Sequence, residues 1–229
     1  MAIILLIETA TKSCSVAISQ NGLVLVKKEI NEQNAHATSL TLFIDEVILQ
    51  AKITFHQINA IAVSKGPGSY TGLRIGVSTA KGLCYALNIP LLAIDTLIAM
   101  AKGFITQNKI SKSSSALFCP MIDARRMEVY CAIYDVDCTE ILKTEAKIID
   151  ENSFSDILDK KKVYFFGDGA VKFTNTLSAQ SNANIVDGFI NSAADMSAAA
   201  YSKFLANDFE DVAYFEPLYL KEFIVLKKI

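Results

Sequence analysis

Two apolar runs, each ending on an acid, constrain this chain more than any other feature. Ala2–Ile7 stops at Glu8, and Leu117–Ile122 stops at Asp123. Runs this short and this apolar suit strands buried on both faces. A segment of alternating polarity follows each run. In Cys14–Ser19 the residues Cys14, Val16 and Ile18 share one side; in Glu128–Tyr134 the residues Val129, Cys131 and Ile133 do. A third strand then follows in each half. One is Leu23–Ile30, after the tight-turn pair Asn21-Gly22; the other is Ile141–Ile149, after Asp135–Asp137.

Helices and further strands complete each unit. The spacing of Leu40, Phe43, Ile44, Val47, Ile48 and Ala51 predicts a helix over His36–Ala51, with Asn34 as its N-cap. A strand is expected at Ile58–Ser64, a second helix at Tyr70–Leu87 ended by Asn88 and Pro90, a strand at Leu91–Ile94 and a third helix after Asp95. The second half offers a helix at Ser153–Leu158, a strand at Val163–Phe166 and a helix at Asp195–Leu205. The same order of elements twice predicts a duplicated α/β fold with a cleft between two lobes. Ser111, Ser113, Ser114 and Ser115 mark the boundary region.

Composition narrows the class. At 52% hydrophobic and 20% charged residues, the 229-residue chain is not disordered. Lys and Arg number 22 against 24 Asp and Glu, a net charge of −2, so no strong overall field exists to hold a nucleic-acid backbone. The cysteines, at 14, 84, 119, 131 and 138, are odd in number and lack CxxC spacing, which fits a reducing cytoplasm better than a disulfide framework or a zinc site. Glu8 stops the N-terminal apolar run with no basic region before it, so no signal peptide is expected. Pro90, Asp95 and Lys102 interrupt Ile89–Phe104, the richest later stretch, so no membrane span is expected either.

Several groups could carry chemistry. If the halves face each other, Glu8 and Asp123 point into one cleft, where they could hold a hydrated Mg²⁺ or activate a nucleophile; alternatively each acid caps its own turn. Gly66-Pro67-Gly68-Ser69-Tyr70-Thr71-Gly72 follows a strand and opens a helix, a setting for anion binding, but it matches neither the Walker loop nor the dinucleotide fingerprint. The alternative is a sharp turn where two backbones approach. Gly72, Gly76 and Ala80 form a small-residue row that lets another element approach closely, within this chain or from another. Gly167-Asp168-Gly169 could lie beneath a nucleoside or form an ordinary strand-end turn; Arg125 and Arg126 could meet phosphate, a partner carboxylate or solvent. His36 and His56 have no partners at ligand spacing.

Glu8-Thr9-Ala10 with Cys14-Ser15-Val16-Ala17, then the run from Gly66 to Gly76 including Arg74, resembles the TsaB (YeaZ) family. So do Asp123-Ala124-Arg125-Arg126-Met127-Glu128-Val129-Tyr130, Gly167-Asp168-Gly169 and Pro217-Leu218-Tyr219-Leu220. The resemblance covers nearly the whole chain. It implies the actin-like, sugar-kinase-like superfamily with two ribonuclease-H-like lobes, here residues 1–108 and 109–229. It implies a non-catalytic, cytoplasmic subunit in the making of N6-threonylcarbamoyladenosine in tRNA, paired with the catalytic paralogue TsaD and the ATPase TsaE; a homodimer when alone is expected separately, from the apolar patch on the first two helices. Contact with tRNA is left unassigned. TsaD's HxxxH metal positions fall here at about Thr96 and Met100, which are poor ligands, so neither metal nor cofactor is expected. Glu8, Thr9, Asp123, Gly167, Asp168 and Gly169 resemble remnants of nucleotide loops.

The partner face implied by the resemblance is the first two helices. Their expected contact residues are Leu40, Phe43 and Val47, then Gly72, Leu73, Gly76, Val77, Ala80 and Cys84. The stripe on the first helix is broader than one seam, so part of it is expected to be left exposed. The competing class is an independent actin-like ATPase or small-molecule kinase, motivated by Glu8, Asp123 and the glycine loops. A metalloprotease is a third reading.

Overall fold

The computed structural model describes residues 1–32 and 35–221. The expected N-cap Asn34 lies outside these residues. Two five-stranded sheets form the frame. In the first, β1 (Ile3–Glu8), β2 (Ser13–Gln20) and β3 (Leu23–Asn31) make the antiparallel meander, with Asn21 and Gly22 at positive φ in the turn. Helix α1 (Ala35–Gln50) then carries the chain across to β4 (Ala60–Gly66), which pairs parallel to β1. Helix α2 (Tyr70–Leu87) leads to β5 (Leu91–Asp95), and helix α3 (Thr96–Gln107) follows. The sheet order is β3-β2-β1-β4-β5.

The second half repeats this arrangement. Strands β6 (Leu117–Asp123), β7 (Glu128–Tyr134) and β8 (Glu140–Ile148) form the meander; the one-turn helix α4 (Ser155–Leu158) precedes β9 (Val163–Phe166), parallel to β6. The short α5 (Thr174–Leu177) leads to β10 (Ala183–Val186), parallel to β9. The order β8-β7-β6-β9-β10 is that of the first sheet. A 3-10 turn, Ala193–Met196, then runs into α6 (Ser197–Leu205), so the final helix starts later than expected. Neither β10 nor α5 was foreseen.

Helices cover the faces of both sheets. Against the outer face of the first sheet lie α1 and α2, where Leu40, Ile44, Val47 and Val77 meet Leu5, Ile7, Val16 and Ile18. Its inner face, Ile4, Leu6, Ala17 and Ala62, is covered by Ala193, Met196 and Ala200 from the end of the chain. The inner face of the second sheet is covered from the first half: Leu97, Met100 and Phe104 of α3 pack on Phe118, Ile122 and Phe166, with the Phe104 and Phe166 rings stacked 4.1 Å apart. Each half thus lends a helix to the other half's sheet. The central strands are covered on both faces, which is why β1 and β6 read as unbroken apolar runs. Among the described residues no helix is long and apolar enough to cross a membrane.

Candidate functional site

Two backbone donors of the β1–β2 turn, Thr9 N and Ala10 N, are engaged within the protein. The Glu8 carboxylate is buried, and its Oε1 accepts from Ala10 N at 2.6 Å and from the Ser64 hydroxyl at 3.0 Å. Ser64 Oγ in turn accepts from Thr9 N, and Thr11 Oγ1 accepts from Ser13 N. Loss of hydration on burial pushes the Glu8 carboxyl up to about 7, and the charge of Asp195 adds to it. Glu8 therefore does not point into the cleft. It sits beneath the turn and caps it, so of the two readings offered for this acid the turn cap holds and the shared cleft does not.

Three glycines pack around the same turn. A Cβ on Gly68 would collide with Ala10 O, one on Gly72 with Thr9 O, and one on Gly76 with the Thr9 side chain. Ser69 N donates to Ala10 O at 2.6 Å, and Ser69 Oγ caps α2 by accepting from Gly72 N at 3.2 Å. At Gly72 and Gly76 the small-residue row thus admits the β1–β2 turn, while Ala80 further along packs in the cluster that includes α1. Gly66 holds φ +111° where Leu218 O approaches closely, and its N–H donates to Thr96 Oγ1 at 3.2 Å. Met100, one turn beyond Thr96, is core. Among the described residues, no group of three or more His, Cys, Asp or Glu is placed to share a metal ion.

The β6–β7 turn behaves alike. Asp123 Oδ1 accepts from Arg125 N at 2.8 Å and pairs with Lys172 at 2.5 Å. Ala124 N donates to Glu128 O and Glu128 N to Arg125 O. The Gly167–Gly169 loop docks on the end of β6: Gly169 N donates to Met121 O, and Asp168 Oδ1 accepts from Asp123 N at 3.0 Å. Burial raises the Asp168 carboxyl.

A cleft of about 630 Å³ lies between the two turns and the start of α2, and both Asp123 and Asp168 line it. The segment after α6 closes one side. It pairs Glu210 with Leu91 at the edge of the first sheet, its carbonyls at 213 and 215 accept from Lys81 Nζ, and Leu218 N donates to Lys65 O at 2.7 Å. Tyr219 then packs on Tyr70 and accepts from Arg74 Nε at 3.3 Å, and Lys221 pairs with Glu128 of the opposite lobe. The strap therefore ties α2 to the second sheet. Its residues carried no chemical signal in the sequence beyond the resemblance.

Comparison with known proteins decides the relationship. The family model "TsaD: tRNA N6-adenosine threonylcarbamoyltransferase" matches residues 25–215. The tRNA threonylcarbamoyladenosine biosynthesis protein TsaB of Escherichia coli is 30% identical over 236 residues, covering 99% of this chain and 97% of that protein. The chain belongs to the TsaB family. The tRNA N6-adenosine threonylcarbamoyltransferase of Bacillus thuringiensis is also related, at 32% identity, over 48% of this chain and 36% of its own length. YeaZ from Pseudomonas aeruginosa has the same fold, with a TM-score of 0.81 at 24% identity over 96% of this chain and all of that one. The duplicated sheets are those of the two-lobed actin-like fold.

In this TsaB-family chain the surface of the helix pair differs from expectation. Leu40, Phe43 and Val47 are buried together with Ile44 and Ile48, as are Leu73, Val77, Ala80 and Cys84 of α2. The broad stripe on α1 is not surplus, because α1 packs on the sheet, out to Val26 and Ile30 of β3, and against Val77, Ala80 and Cys84 of α2 at once. The apolar side chains left in solvent are others: Leu42 at 59% exposed and Leu49 at 77%, seven residues apart on α1, and Tyr85 at 86% on α2. Gly82, beside Tyr85 on the outer side of α2, has open space around it. The spacing of Leu42 and Leu49 was the available signal, and the richer inner stripe hid it.

Proposed function

We propose that this chain is a non-catalytic subunit in the formation of N6-threonylcarbamoyladenosine in tRNA, docking on a TsaD-type catalytic paralogue through the solvent face of α1 and α2. The observation that carries this reading is the exposure of Leu42, Leu49 and Tyr85 on a helix layer whose inner face is fully packed. A TsaE-type ATPase joins the pair, and the chain alone forms a homodimer through the same face, since a self-complementary apolar surface favours a two-fold pair. The names of its relatives, and its kinship with the transferase family, support the choice of pathway and partner.

Local chemistry supports a non-catalytic role. Phosphate loops work by offering free backbone N–H groups. Here Thr9, Ala10, Ser13, Asp123, Ala124 and Arg125 each donate their N–H within the protein. An independent ATPase or kinase would need several of these. The test is modification of tRNA by the TsaD-type partner with this chain, without it, and with Leu49→Asp; a stimulation that Leu49→Asp removes is expected, and stimulation unaffected by the substitution would count against the docking face.

A further inference from the structure

Pairing with a catalytic paralogue leaves the interlobe cleft unused, and its walls have a definite chemistry. Tyr70 and Tyr219 pack with ring centroids 4.9 Å apart, and the Arg74 guanidinium lies 4.1 Å over the Tyr70 ring while Nε donates to the Tyr219 hydroxyl. This makes a braced aromatic wall on the first lobe, with Tyr130 on the other. Lys12, exposed on the β1–β2 turn, and Arg125, on the β6–β7 turn, bring one cation from each lobe. Among the described residues neither forms an ion pair.

The β6–β7 tip is also strained. Arg125 and Arg126 hold φ of 69° and 52°, a region that non-glycine residues occupy at a cost, and this conformation sets two guanidiniums on the end of the hairpin. The opposing charges are accounted for. Asp123 is taken by Lys172, and Lys221 by Glu128. Asp168 accepts from Asp123 N, its carboxyl is raised by burial, and Lys12 acts on it only through space. His36, bonded to Ser13 O, is lowered by burial.

An anionic ligand in this cleft meets side chains of two kinds: flat faces for stacking and separated cations for separated charges. We propose that the cleft binds a single-stranded segment of RNA, with a base against the Tyr70–Tyr219 wall and neighbouring phosphates on Lys12 and Arg125. The choice of RNA rests on the reading that the chain works in tRNA modification. The net charge of −2 makes this a local grip rather than a general affinity for nucleic acid.

The probe is a fluorescein-labelled single-stranded RNA of about 12 nucleotides and mixed sequence, a length within the span of common single-strand sites. Its anisotropy is followed with the full chain over a series of salt concentrations. Lys12→Ala with Arg125→Ala should reduce the slope of log affinity against log salt by roughly 1.4, about 0.7 for each lost phosphate contact on a single strand. Tyr219→Ala should weaken binding about ten- to a hundredfold with the slope unchanged. Lys160→Ala with Lys161→Ala, exposed lysines after α4, should change nothing. Circular dichroism checks that Tyr219→Ala stays folded; the Lys12 and Arg125 substitutions are at the surface and carry the test alone if it does not. The proposal is overturned if the wild-type chain does not bind the RNA, if the two lysine-arginine and lysine-lysine pairs behave alike, or if ATP or polyglutamate displaces the RNA at equal concentration. Leu49→Asp separates the two readings: it should bind RNA normally while failing to stimulate the catalytic partner. RNA binding absent from a chain that still stimulates would remove this inference alone.

Discussion

The backbone carbonyl of Thr9 occupies the space where a side chain on Gly72 would begin. A helix start and a strand-end turn far apart in sequence are thereby locked backbone to backbone. Gly72→Ala must displace one or the other, and overpacking of this kind costs about 1–3 kcal/mol. Gly82→Ala, in the same helix but facing open space, should instead stabilise by up to about 1 kcal/mol through helix propensity. Urea denaturation of the two variants should give opposite shifts in midpoint. A Gly72→Ala variant as stable as wild type would show that the turn yields freely.

The same contrast separates core from surface on α1. Phe43→Asp places an unpaired charge in the core beside Ile44 and Val47 and should leave the chain unfolded or aggregated. Leu42→Asp and Leu49→Asp should fold with a far-ultraviolet spectrum like wild type; the wild-type chain is expected to sediment as a dimer and both variants as monomers. Dimers that persist in both surface variants would move the self-association face elsewhere.

Much of this fold could be read in advance, and the reasons are local. Ser69 caps α2 and Asn88 ends it in the left-handed region, so both bounds were visible in the residues themselves. The Asn21-Gly22 turn is equally self-contained. What escaped prediction depends on distant partners. Strand β10 is four residues, Ala-Asn-Ile-Val, whose strand character comes from pairing with β9. The glycine row announced a close approach without saying what approaches, because Thr9 lies in another element. The helix stripe gave the count of apolar residues but not the number of surfaces α1 would meet, so Leu40, Phe43 and Val47 were expected outside and are inside. For Glu8 the sequence offers both a cleft acid and a turn cap, and its short bond to Ala10 N decides for the cap.

Glu8 also makes stability depend on pH. Its carboxyl rises from 4.5 to about 7 on folding, because burial disfavours the ionised form. The folded state therefore holds its proton more tightly, and the stabilising contribution is full below about 4.5 and lost as pH rises through about 7, in total about 3 kcal/mol. Asp195, raised from 3.8 to about 6, acts in the same direction. Thermal melts should show stability falling from pH 5 to pH 8. Glu8→Gln keeps an acceptor for Ala10 and Ser64 and should flatten most of that fall; a profile as steep as wild type would assign the dependence elsewhere.

Nucleotide turnover gives a further check. With the amides of Thr9, Ala10, Asp123, Ala124 and Arg125 engaged internally, the isolated chain should neither hydrolyse ATP nor bind it at micromolar concentration. Calorimetry should record no saturable heat. Micromolar affinity that disappears in Glu8→Ala and Asp123→Ala would restore the kinase-like reading.

The role proposed for this chain is docking, without chemistry of its own. The most direct measurement is threonylcarbamoyladenosine formed on tRNA by the TsaD-type partner, titrated with the wild-type chain and with Leu49→Asp/Tyr85→Ala. Product is expected to rise with wild-type chain to a plateau, with none from the chain alone and little stimulation by the double variant. Equal stimulation by a folded double variant, or product from this chain without the partner, would contradict it.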